Sequence, residues 1–117
     1  MKRRLSFLCM LVFALQAGAR TADCDNVGIR LNALVSADQQ IRYESNLLDQ
    51  NYTATAADKD RLQKRWQTTD AENLKQVKEI LGACGWPKTK KDSHSAWLLA
   101  QHADNDLAFQ RLSLIHI

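Results

Sequence analysis

The stretch Asp25–Leu48, DNVGIRLNALVSADQQIRYESNLL, decides the fold class. Its apolar residues Val27, Leu31, Leu34, Ile41 and Leu48 are separated by threes, fours and sevens, the spacing that lines side chains along one face of an α-helix. No strand-like alternation runs for any length. One position breaks the stripe. The series Val27, Leu31, Leu34, Asp38, Ile41 puts a carboxylate in line with the core, and Arg42 follows one turn later, close enough to pair with it.

Working outward, Asp49–Ala57 is polar and small and reads as a connection to a second helix over 58–67. Thr69-x-x-Glu72 has the form of a capping box and predicts the start of a third helix carrying Leu74, Val77, Ile80 and Leu81. That helix should stop within Gly82–Pro87, where two glycines and the sole proline oppose continuation. Lys88–Asp92 reads as a loop and Ser93–Ala103 as a fourth helix, with Trp97, Leu98 and Leu99 as its apolar part. Asp104 or Asp106 can cap a fifth. The expected fold is therefore all-α, a small bundle of about four to five helices.

Both ends of the chain read as additions to this domain. Lys2, Arg3 and Arg4 precede the apolar run Leu5–Leu15, and Ala17-Gly18-Ala19 supplies the small residues of a cleavage site, so 1–19 is expected to be a signal peptide. The apolar run reaches only about half of a hydrocarbon core roughly 30 Å thick, which argues against a stable anchor. An exported protein, periplasmic or secreted, is the expectation. At the other end Leu112–Ile117, LSLIHI, resembles the translated end of a sequencing-library adapter and is expected to be foreign. The domain is then 20–111, roughly ninety residues, with a C-terminal portion expected to be missing.

Removing the leader changes what composition implies. Sixteen Lys and Arg against thirteen Asp and Glu give a net charge of +3, and Lys2, Arg3 and Arg4 account for that excess. A formally neutral mature chain offers no basic face for nucleic acid. Cys9 leaves with the leader, so Cys24 and Cys84 remain as an even pair in an oxidising compartment, and a disulfide is the expectation.

Asp38 is not alone on an apolar face. Trp66, Asp70, Asn73, Val77 and Ile80 form a similar series if the second helical segment runs on without a sharp bend. Gln101 follows Trp97 by four and His102 follows Leu98 by four. Burying such groups unpaired costs several kcal/mol each, comparable to the stability of a small domain, so they should meet one another, water or a ligand. Asp70 is also readable as a cap beside Thr69, and Gln101 and His102 as cross-links between helices.

Asp38-Gln39-x-x-Arg42, Asp70-x-x-Asn73, Gly85-Trp86-Pro87 and Trp97-Leu98-Leu99-Ala100-Gln101-His102-Ala103-Asp104 with Phe109-Gln110 together resemble an uncharacterised bacterial domain family. Its members carry a Gly-Trp-Pro turn followed by a Gln-His-Ala-Asp helix, and the match spans most of 32–111. The resemblance implies a domain of unknown function and no mechanism. Two departures stand out: the segment between Pro87 and Trp97 is short and lacks a glycine, and a later Tyr-Gly-Thr-Gln type motif is absent.

These residues admit four readings. The plainest is a structural polar network fixing helix register. A second is an interaction or ligand-binding module for a protein or small molecule, with Asp38, Gln39, Arg42, Asp70, Asn73, Trp86, Gln101, His102 and Asp104 as candidate residues. A third is a hydrolase in which His102 is general acid or base, oriented by Asp38 or Asp70, since a histidine near its reference pKa of about 6.5 both accepts and donates protons. No nucleophile motif, phosphate loop or cofactor fingerprint accompanies it, and no cofactor is expected. For a metal site, His94 and His102 point about 80° apart on a helix, unlike a zinc-binding pair, so no metal is expected.

Overall fold

Two long helices, tied at one end by a disulfide and at the other by a short loop, form the frame of the domain. The computed structural model describes residues 24–116; the expected signal peptide, 1–19, lies outside them. A single turn of tight helix, Cys24–Asn26, leads into α1 (Val27–Asp49), followed by α2 (Ala56–Cys84), α3 (Lys90–Gln101) and α4 (Leu107–Leu114). The described residues contain four α-helices and no strand. None of these helices is long and apolar enough to cross a membrane.

α1 buries Leu31, Leu34, Asp38 and Ile41, the stripe read from its sequence. The expected second and third helices are one: α2 runs unbroken for 29 residues. Its N-terminus is set by Thr55 and Asp58, which form the capping box, with the Thr55 hydroxyl accepting from the Asp58 N–H at 3.1 Å and the Asp58 carboxylate accepting from the Thr55 N–H at 2.8 Å. The Thr69-x-x-Glu72 pattern lies in mid-helix instead. There Thr68 donates its hydroxyl to the Lys64 carbonyl at 3.0 Å, so a residue type that elsewhere opens a helix bonds back into this one. With no glycine or proline between 56 and 81, nothing forces a break.

α2 ends where Gly85 takes a φ of 75°, a left-handed conformation that favours glycine, and its N–H closes on the Leu81 carbonyl at 2.9 Å. Thr89 then caps α3 by accepting from the Asp92 N–H, so this helix starts at Lys90, inside the expected loop, and ends at Gln101 rather than Ala103. Asp106, not Asp104, caps α4 through the Phe109 N–H and also receives Lys78 of α2 at 2.7 Å.

Leu31, Leu34, Val77, Ile80, Ala96, Leu99, Ala100, Ala103 and Phe109 make one core. Full burial of a Leu, Ile or Val stabilises the fold by about 1.5 to 3 kcal/mol. The buried face of α3 is Ala96, Leu99 and Ala100, with Trp97 and Leu98 only partly covered; two alanines let this helix approach α1 closely. Cys24 and Cys84 are disulfide-bonded with their Cα atoms 5.5 Å apart, pinning the start of α1 to the end of α2.

Candidate functional site

Asp38 occupies an aliphatic position in mid-α1 and is 1% exposed. A carboxylate so placed must be neutralised and hydrogen-bonded, and three side chains do so. Arg42, one turn on, donates its Nε–H to both carboxylate oxygens at 3.2 and 3.3 Å. Gln39 donates its amide at 2.8 Å. The third partner is His102, whose Nδ1 lies 2.9 Å from both oxygens. His102 stands just past the end of α3, where its N–H still bonds the Leu98 carbonyl. Ala103, buried beside it, fixes the chain path there.

α2 supplies the other wall. Trp66 places its ring under the Arg42 guanidinium at 5.0 Å from the ring centre, a cation–π contact that holds the arginine against Asp38. Asp70, one turn beyond Trp66, is half-buried. Burial pushes its carboxyl above the ordinary aspartate value; Arg42, Trp66 and His102 pull against that shift, and the charge of Asp38 adds to it. Asn73, one turn further on, is buried and donates its amide to the Leu34 carbonyl at 3.2 Å, joining α2 to the backbone of α1.

The structure therefore gathers Asp38, Gln39, Arg42 and His102 in direct contact, with Asp70 electrostatically coupled to them. It separates the other candidates. Gln101 turns to α4, donating to the Ser113 hydroxyl at 3.2 Å, while Ser113 donates to the Gln110 carbonyl and Gln110 to the Gln101 carbonyl. Trp86 donates its indole N–H to Ser93 at 2.7 Å. Asp104 lies outside the hydrogen-bonded cluster and edges a cleft of about 230 Å³ beside it, lined also by Gln67, Asp70, Leu74, His102 and Asn105.

Sequence reasoning missed Trp66 and Ser113 as participants. Trp66 stands four residues before Asp70 on the same face, a signal that was legible. Ser113 is fully buried although it belongs to the segment read as foreign.

Chemically, a carboxylate holding Nδ1 leaves Nε2 of the same ring to accept or donate. Among the described residues no group bonds Nε2, and no serine, threonine or cysteine is hydrogen-bonded to His102. Among them, too, no three His, Cys, Asp or Glu side chains are grouped to hold a metal ion. The chain matches no family model, no curated protein and no solved structure.

Proposed function

We propose that this protein is an exported binding module in which the Asp38 cluster is the rigid support and the adjoining cleft receives a small polar group of a ligand or partner. The observation that carries this reading is the attachment of His102. Its Nδ1 is held by Asp38 at 2.9 Å while the residue lines the cleft together with Asp70. A side chain fixed in this way loses little freedom on meeting a ligand, which is how preorganisation raises affinity. A cleft of about 230 Å³ is smaller than the roughly 300 to 1,000 Å³ of sites for drug-sized ligands, so its guest is a side chain or a molecule of few atoms.

Export rests on the pattern of residues 1–19, and the Cys24–Cys84 disulfide supports it, because such bonds persist in oxidising compartments. Membership of the uncharacterised Gly-Trp-Pro, Gln-His-Ala-Asp domain family is likewise proposed on those motifs. The test is a titration of small amides, alcohols and amines into the labelled protein, followed by amide NMR. Shifts gathered on Gln67, Asp70, His102 and Asn105 are expected, and both Asp70→Ala and His102→Gln should abolish them without unfolding the protein. Shifts that are absent, or scattered over the surface, would remove the binding reading.

A further inference from the structure

A second groove shares no residue with the polar cleft. It measures about 610 Å³, within the range of small-molecule sites, and is walled by Trp86, Pro87, His94 and Trp97 with Lys88 and Lys90 at its edge. We propose that it binds a small flat aromatic molecule bearing an anionic group, of the aryl carboxylate or aryl sulfonate class.

Shape argues for the flat ring. Trp86 follows the Gly85 turn, precedes Pro87 and is pinned by its bond to Ser93 at 2.7 Å, so one wall is fixed before any ligand arrives. In this chain His116, from the segment read as foreign, covers its face, with ring centres 4.7 Å apart and planes 8° from parallel; a flat ligand ring would take its place. The opposing aromatic pair, His94 on Trp97, stacks at 5.5 Å.

Charge argues for the anion. Aromatic walls also suit a bound cation, but the lining holds Lys88 and Lys90 and no carboxylate. Thr89 and Lys90, at the N-terminus of α3, also line the groove, and that end of the helix dipole favours negative charge.

The protein contains three tryptophans, so the indole N–H signals of Trp86 and Trp97 report on the groove while Trp66 serves as an internal control. Naphthalene-2-sulfonate should shift the first two saturably and leave Trp66 in place. The uncharged analogue 2-naphthalenemethanol should bind at least about tenfold more weakly, a difference of about 1.4 kcal/mol. The double variant Lys88→Glu with Lys90→Glu, both exposed and without a part in the core, should lose a similar factor at unchanged melting temperature. Equal affinity for the neutral analogue, indifference to the charge reversal, or shifts at Trp66 in place of Trp86 and Trp97 would each overturn the assignment.

Discussion

Asp38 and His102 are 64 residues apart in the chain, yet His102 Nδ1 sits 2.9 Å from both oxygens of the Asp38 carboxylate, fastening the end of α3 to the middle of α1. Arg42 takes the same carboxylate from within α1, so a single buried acid is the point at which two separate helices are held in register. Removing it strands Arg42 and His102 and leaves a hole in the core. Asp38→Ala should therefore cost about 2 kcal/mol of stability, in the range for hydrogen bonds to a charged group, since Arg42 and His102 are partly exposed and can turn to water. Urea denaturation of the purified variant measures this; a loss below about 1 kcal/mol would contradict the central role given to this residue.

The disulfide ties the frame at one end only. Its loop of 60 residues should contribute about 3 to 4 kcal/mol through restriction of the unfolded chain. Reduction, or the double change Cys24→Ala with Cys84→Ala, should lower the melting temperature by more than about ten degrees, since each kcal/mol is worth roughly 4 to 8 °C in a domain of this size. Calorimetry with and without reductant reads the difference.

Asp70 sets a pH dependence. Burial raises its folded pKa, so ionising it costs more in the folded protein than in the unfolded one. This residue's contribution to stability is unimpaired below the unfolded pKa, is lost as pH rises through the folded value, and leaves a net penalty above it. Asp70→Asn should raise the melting temperature slightly at neutral pH, and the gain should vanish as the pH falls below the ordinary aspartate range. A gain that grows towards acid would contradict a raised Asp70 pKa in the folded protein.

The glycines at the end of α2 should respond in opposite directions. Gly82 is helical, and a methyl group added there meets nothing within 4 Å, so Gly82→Ala should stabilise by about 0.5 to 1 kcal/mol. Gly85, at φ 75° and ψ −178°, needs a conformation open essentially to glycine alone and costing other residues about 1 to 3 kcal/mol, and Gly85→Ala should destabilise by that amount. Paired thermal melts of the two variants give both signs at once.

Much of this molecule is written locally. The apolar spacing around Leu31 and Leu34 specified α1, Asp106 carried its own capping signal, Asp38 and His102 stood out because each was polar on a stripe expected to be buried, and Arg42 because it follows Asp38 by one turn. Local signals failed where two readings had the same form. Thr69-x-x-Glu72 and Thr55-x-x-Asp58 both satisfy a capping pattern, and the second is used because the backbone stays helical through Thr68 and Thr69, with the Thr68 hydroxyl bonded back to the Lys64 carbonyl. Likewise Thr89 drew the start of α3 back to Lys90.

By itself the sequence determined the fold class, the cysteine pair and the polar residues that had to find partners, because periodicity and composition act over a few turns of helix. Which partners they found was decided by tertiary structure. Gln101 and His102 are adjacent, yet one turns to Ser113 on α4 and the other to Asp38 on α1. That division depends on where α3 ends and on how closely its alanine face lets it approach α1. The physical reason is that a buried charge is satisfied by whatever donors packing brings within about 3 Å, and that distance is set by helices far apart in the chain.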